Sequence, residues 1–194
     1  MSLYDRQEKL DLDLDQTLTI AGCGGIGAWL AIFAAMSGIE TLTLFDPDTL
    51  ENSNLNRLPF PLKYLGSNKA DVTKTYIKSI RPDCNVKSFP FPFQDLFYTK
   101  TDWLVDCTDV YKTQVEIEKI AKKTKSKYMK VGYDGLHISI FNKVAKWGTE
   151  LDGYTVVPSW VGSPAIAAAL AVAKIVKYPD KEMSCNLHNL FLFK

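Results

Sequence analysis

A chain of 194 residues with 46% hydrophobic and 23% charged residues suits one globular domain of ordinary soluble composition. A formal net charge of +1 gives no electrostatic reason to bind nucleic acid or an anionic membrane. The four cysteines, Cys23, Cys84, Cys107 and Cys185, form no CxxC pair, so no zinc is expected, and with no secretory signal in view they are expected as free thiols in a reducing cytoplasm.

In chain order, Thr17–Ala21 is an apolar run that stops at glycine and is predicted as a buried strand. Gly25–Ser37 is rich in Ala, Leu and Ile and stops before Gly38, which predicts a helix. Thr41–Phe45 is a second strand, ended by Asp46-Pro47, and 47–63 is a long polar loop of the kind that is usually functional or disordered. Ser67 or Asn68 caps a helix that runs to Ile80 and ends at Arg81-Pro82. A weak strand at 86–89, the apolar connector "PFPFQD", a strand at 103–107 and a helix at 112–123 follow. The basic run 119–130 is expected to be the solvated end of that helix. Strands are predicted at 128–131 and 137–141, irregular structure at 142–159, an alanine-rich helix at 160–176 and a last strand near 187–193. The helix at 160–176 is too short to cross a bilayer and is interrupted by Gly162, Pro164 and Lys174. This alternation predicts a single Rossmann-like α/β domain, a largely parallel sheet flanked by helices, with antiparallel strands toward the C-terminus.

The first chemical signal is Gly22-x-Gly24-x-x-Gly27, which follows a strand and opens a helix, with Gly25 adding a fourth glycine. Gly22 permits the tight turn, Gly24 and Gly25 leave room for phosphate at the backbone, and Gly27 lets helix and strand pack closely. Free N–H groups at the helix N-terminus suit an anion. Asp46, at the tip of the second strand, stands where an acid can bind ribose hydroxyls. To this point NAD and ATP fit equally well.

The downstream residues favour ATP. Asn54 and Arg57 lie just beyond the ribose acid, Lys69 opens the next helix, and Asp106 and Asp109 sit at the end of the third strand. Carboxyl ends of strands meet at one crevice in open α/β sheets, so Arg57, Lys69 and Asp109 can converge on what the glycine turn holds. Hydride transfer needs no such set. Attack on the α-phosphorus of a triphosphate does need it: cations offset the growing charge, and a carboxylate can hold a Mg²⁺ that bridges phosphates. Taken singly, Arg57 reads as a loop arginine, Lys69 as a first-turn lysine and Asp109 as a helix N-cap; the ordered set is what points to a site.

In order, "YDRQ" at 4–7, "GCGGIG", "LTLFDPDTLENSNLNR", "GSNKADV", "DCTDV" and "VVPSWVGSPAIAAALAVAKIV" resemble the blocks of the ThiF/MoeB/HesA family, bacterial relatives of ubiquitin-activating enzymes, over nearly the whole chain. The resemblance implies adenylation of a C-terminal carboxylate by MgATP with release of pyrophosphate. The acceptor it implies is a small ubiquitin-like or sulfur-carrier protein ending in Gly-Gly. It implies that Gly22, Gly24, Gly25, Gly27, Asp46 and Asp48 bind the nucleotide, that Asn54, Arg57 and Lys69 hold its phosphates, and that Asp109 positions Mg²⁺. It also implies a homodimer in which Arg6 reaches the partner's ATP.

The chain departs from the family pattern at several points. The paired CxxC zinc motifs are absent, Val110 stands where an amide follows the magnesium acid, and Leu58 replaces a polar residue after the arginine. No cysteine occurs in 142–164, where thioester- or persulfide-forming members carry one, and Cys185 is the one candidate nucleophile by elimination. The enzyme is therefore expected to stop at the acyl-adenylate. His137 and His188 read as strand-face residues, since an ionised carboxylate needs no general base. Some of Trp147, Trp160, Phe91 and Phe93 are expected to line a channel for the acceptor's tail. The competing readings are an adenylating enzyme acting on a peptide or a modified tRNA base, an inactive subunit, and a dehydrogenase; modest length and the lack of a basic surface count against tRNA.

Overall fold

The computed structural model describes residues 3–144 and 158–190. Seven strands form one sheet in the order β3-β2-β1-β4-β5-β6-β7. They are β1 (Thr17–Ala21), β2 (Thr41–Phe45), β3 (Asn85–Phe89), β4 (Trp103–Asp106), β5 (Lys127–Asp134), β6 (His137–Phe141) and β7 (Met183–Asn186). The first five are mutually parallel, β6 pairs antiparallel with β5, and β7 pairs antiparallel with β6, which gives the antiparallel pairing toward the C-terminus that the sequence predicts. The strand order reverses between β1 and β4, and the crevice at such a reversal is where ligands bind in open α/β sheets.

Helices α1 (Gly25–Ser37), α2 (Lys69–Ile80) and α4 (Gly162–Lys177) pack together on one side of the sheet. α1 is apolar almost all round because it is enclosed by the sheet and both neighbouring helices. Ala28, Ala31, Ala34 and Ala35 of α1 and Ala167, Ala168 and Ala171 of α4 are fully buried. Such small side chains let the two backbones approach. Gly38 ends α1 in the left-handed conformation, its N–H donating to the Ala34 and Ala35 carbonyls.

Among the described residues the opposite face carries one long helix, α3 (Tyr111–Thr124), amphipathic with Gln114, Ile117 and Ala121 buried. Over β2 and β3 the "PFPFQD" connector does the work of a helix. Phe45 stacks on Phe89 at 4.7 Å and meets Phe93 edge-on at 5.2 Å, and Phe91 packs on Phe97 at 4.8 Å. Phe91 and Phe93 thus belong to the cover of this face.

Three local expectations shift. The last strand is 183–186, and Leu187–Leu190 form a helical turn, α5, because the Asn186 side chain accepts from the His188 N–H at 2.9 Å and starts it; residues 191–193 lie outside the described residues. His188 is accordingly in a helical turn, while His137 lies on β6 and bonds Ser184 at 2.8 Å. The basic run does not all face solvent: Lys119, Lys122, Lys123 and Lys125 do, but Lys130 is 2% exposed inside β5. Of the irregular stretch 142–159, residues 145–157, including Trp147, lie outside the described residues.

Asn68 joins this frame to the crevice. Its side-chain oxygen caps α2 by accepting from the Ala70 and Asp71 N–H groups, and its amide donates to the Asp46 and Asp48 carbonyls at 2.8 and 3.1 Å. Asn68→Ala is therefore expected to cost about 1–2 kcal/mol of stability, read as a lower urea midpoint with an unchanged slope; a loss below about 0.5 kcal/mol would show that the cap is redundant.

Candidate functional site

The crevice is built around the start of α1. Gly22 has φ +90°, and a Cβ there would meet the Cys107 carbonyl oxygen at 3.0 Å, so the turn lies directly against the end of β4. A Cβ on Gly27 would fall 1.8 Å from the Gly22 carbonyl oxygen, which makes that glycine a packing requirement. Gly24 is different: a Cβ there meets nothing within 4 Å. It is the N-cap of α1 and supplies no side-chain cap, and no acid occupies the helix's first turn. The turn thus offers uncapped N–H groups to open space, the arrangement that receives an anion.

Gly25 lies among three groups. Its Cβ would stand 3.3 Å from Arg57 Cδ, 3.3 Å from Pro164 Cβ and 3.4 Å from the Tyr133 hydroxyl. Arg57 therefore reaches the glycine turn, as its place in the sequence led one to expect. Trp29 of α1 donates to the Arg57 carbonyl at 2.8 Å, and the guanidinium donates to the Ser53 carbonyl and the Asn56 side chain at 2.8 and 3.0 Å. Tyr133, Trp29 and Pro164 carry no motif signal and were missed. So was Ser159, whose hydroxyl lies 2.5 Å from that of Tyr133 and whose carbonyl accepts from Asn56. Trp160, half-exposed, donates to Ser163 beside this segment.

Asp46 is 4% exposed, and its two carboxylate oxygens accept from the Cys23 N–H at 2.6 Å and the Asp48 N–H at 2.8 Å. Burial pushes its carboxyl above the ordinary range, while those two N–H groups and the charge of Lys69 pull the other way. The direct partner of the Lys69 ammonium is Asp48, at 2.8 Å, with the lysine side chain 12% and the aspartate 64% exposed. Asn54 serves the loop: its side chain accepts from the Glu51 N–H at 3.1 Å, and its carbonyl accepts from the Arg57 and Leu58 N–H groups. In this structure it shapes the turn that presents Arg57, and Leu58 is buried beneath it.

Asp109 is exposed in the turn after β4 and has no hydrogen bond or ion pair among the described residues. Val110, not Asp109, is the N-cap residue of α3. Among the described residues no three His, Cys, Asp or Glu side chains gather into a group that could hold a metal ion. One free carboxylate beside an anion-binding turn nonetheless fits Mg²⁺, which takes one or two protein carboxylates and completes its shell with phosphates and water.

Arg6 is not in this crevice. Gln7 donates to the Ser37 carbonyl at 2.7 Å and Tyr4 packs against Gly38, so the N-terminal segment sits at the far end of α1. Thirteen residues of helix separate it from the glycine turn, about 20 Å at the usual rise. The cysteines offer no nucleophile at the turn. Cys23 is fully buried with its thiol raised well above the ordinary value, and burial pushes the Cys107 thiol up to about 12. Cys185 is partly buried on β7, four strands from β1, about 19 Å across the sheet.

Fold and crevice together define a Rossmann-like α/β protein whose uncapped glycine turn meets a loop that carries Arg57. The chain belongs to the ThiF family, whose sequence model matches residues 4–150. It is 31% identical over 124 residues to the tRNA threonylcarbamoyladenosine dehydratase of Haemophilus influenzae, a match covering 61% of this chain and 48% of that one. It is 26% identical over 149 residues to ubiquitin-like modifier-activating enzyme 5 of Oryza sativa subsp. japonica, covering 68% and 35%. The matched part thus spans half or less of each relative. Among solved structures, Escherichia coli MccB with ATP superposes with a TM-score of 0.74 at 21% identity, over 90% of this chain and 64% of that one, a likeness of fold. No helix among the described residues is long and apolar enough to cross a membrane.

The open space at Gly24 separates binding from folding. Gly24→Val is expected to leave the melting temperature within about 2 °C and to weaken ATP binding at least tenfold by calorimetry. Gly27→Ala is expected to destabilise instead; a Gly24→Val protein that binds ATP normally would remove the turn from the site.

Proposed function

We propose that this chain is an ATP-dependent adenylyltransferase that activates the C-terminal carboxylate of a small ubiquitin-like or sulfur-carrier protein. The observation that carries the reading is Arg57 against Gly25: a cation stands at an uncapped helix N-terminus, where a pyrophosphate-bridged dinucleotide needs only the turn. A triphosphate that loses pyrophosphate does gain from it. Similarity to a modifier-activating enzyme, and a fold shared with a protein solved with ATP, support the same reading.

The acceptor carboxylate is ionised at neutral pH and attacks the α-phosphorus directly. The new bond joins a carboxylate oxygen to that phosphorus, the bond to the bridging oxygen breaks, and pyrophosphate leaves with the electron pair. The N–H groups of the glycine turn, with Arg57 and Lys69, take up the charge that shifts to the leaving group. Lys69 exchanges Asp48 for phosphate oxygens, and Asp46 with Asp48 holds the ribose side. Asp109 would hold Mg²⁺, which supplies charge neutralisation on the phosphates when bound. A polypeptide acceptor fits the rim: Val110, Tyr111, Leu136, Trp160 and Val161 are exposed at the carboxyl end of the sheet. With the one thiol of the turn, Cys23, fully buried, the product is the acyl-adenylate itself, taken by a thiol or amine of another molecule. The site is shared in a homodimer, because Arg6 lies too far along α1 to serve its own chain.

ATP–pyrophosphate exchange tests the reaction. With the right Gly-Gly-ending carrier, exchange is expected, and Lys69→Ala or Asp109→Ala should lower it about 10²–10³-fold, while Cys185→Ser should not. Exchange supported only by tRNA or by a short peptide would change the acceptor. ATP binding without exchange for any acceptor would mark an inactive subunit. Mixing Arg6→Ala with Lys69→Ala protein tests the shared site. Random pairing into twofold dimers should restore about a quarter of wild-type activity; no restoration would place Arg6 outside the reaction.

A further inference from the structure

A buried ion pair lies just beneath the turn that carries Asp109. Asp106, the last residue of β4, is fully buried, and Lys130, its register partner on β5, is 2% exposed. One Asp106 oxygen accepts from the Thr108 N–H at 2.9 Å and the Thr108 hydroxyl at 2.7 Å; the other accepts from the Tyr128 hydroxyl at 2.7 Å. The Lys130 ammonium stands 3.5 Å from the carboxylate and donates to the Thr108 carbonyl, which also accepts from Gln114 of α3 at 2.9 Å. Burial, then the Asp106 charge, pushes the Tyr128 hydroxyl upward, so it remains a donor. Every polar group of Thr108 is held, and Thr108 is the residue before Asp109.

The lysine neutralises the buried Asp106 carboxylate, and its ammonium also reaches beyond that partner to the Thr108 carbonyl. Replacing a member of a buried ion pair is harmful mainly when it strands its partner. Without Lys130 the Asp106 carboxylate would keep three neutral donors and the Thr108 carbonyl would keep Gln114, so an apolar side chain of similar length leaves the hydrogen bonds satisfied but the buried charge uncompensated, which is strongly destabilising. What Lys130 adds besides is a fixed position for the Thr108 carbonyl, and through it for the turn that ends β4 against Gly22.

We infer that Lys130 is a positioning residue for Asp109: with Asp106 and Tyr128 it clamps the Thr108 peptide, so that the Asp109 carboxylate is held where the Mg²⁺ of a bound nucleotide must sit. This rests on the proposed role of Asp109 and adds to it a residue that touches neither metal nor nucleotide. Partners that orient metal-binding side chains typically change metal affinity 10–100-fold when removed.

The test is equilibrium ATP binding across a Mg²⁺ titration, for wild type, Lys130→Met, Lys130→Arg, Asp109→Asn and the double variant Lys130→Met with Asp109→Asn. In EDTA, Lys130→Met is expected to bind ATP within about twofold of wild type. The Mg²⁺ concentration for half-maximal enhancement should rise about tenfold. Lys130→Arg should restore it in part, and Lys130→Met should add nothing on the Asp109→Asn background. An unchanged midpoint in a folded Lys130→Met protein, or additive effects in the double variant, would overturn the inference. If Lys130→Met does not fold, Tyr128→Phe, which removes one donor to Asp106, should shift the midpoint the same way by about two- to threefold, and no shift would overturn it. A wild type whose ATP binding ignores Mg²⁺, or an unaltered Asp109→Asn, would refute the reading of Asp109 and take this inference with it.

Discussion

The crevice depends on one carboxylate. Asp46 sits at the tip of β2 and takes the Cys23 N–H on one oxygen and the Asp48 N–H on the other, which joins the glycine turn to the loop after β2. A buried carboxylate with one partner would be costly; two N–H donors aimed at an anion offset that cost. The Asn68 amide holds the Asp46 carbonyl, and Lys69 follows as the first residue of α2. Turn, loop and helix start are therefore a single mechanical unit. Any ribose bound by Asp46 would meet a carboxylate whose orientation is already set.

From that unit the rest of the crevice follows by short links. The loop after β2 is long but not slack: its Asn54 carbonyl accepts from two N–H groups, and Trp29 of α1 holds the Arg57 carbonyl. Arg57 is thereby brought to Gly25 by the helix whose N-terminus it flanks. Lys69 is held differently, on an exposed aspartate. The exposed aspartate fixes the direction of a lysine whose own side chain is mostly buried. The turn after β4 closes the other side, its Cys107 carbonyl against Gly22.

The sheet, its five parallel strands and the helices 25–37 and 69–80 were legible because glycine stops, Asp-Pro and a capping asparagine punctuate strong apolar runs. The glycine turn, Asp46 and Arg57 were legible because their spacing is set by the strand and loop that carry them. Lys130 was misread as part of a solvated basic run, since a lysine's burial depends on its register opposite Asp106, four strands into the sheet, and no local pattern reports that. Tyr133, Trp29, Ser159 and Pro164 were missed for the same reason: they meet the turn only through tertiary packing. The end of the chain was read as strand because its leucines and phenylalanines favour one; a single asparagine cap at 186 was enough to start a helical turn instead.

The measurement that bears most directly on a cation-flanked triphosphate site is calorimetric titration of the wild type and Arg57→Ala with ATP, AMP and NAD. ATP is expected to bind at least about tenfold tighter than AMP or NAD, and the margin should collapse in Arg57→Ala, since hydrogen bonds between charged groups are each worth about 1.5–3 kcal/mol. Tighter binding of NAD than of ATP, or a margin that survives the loss of Arg57, would contradict the account.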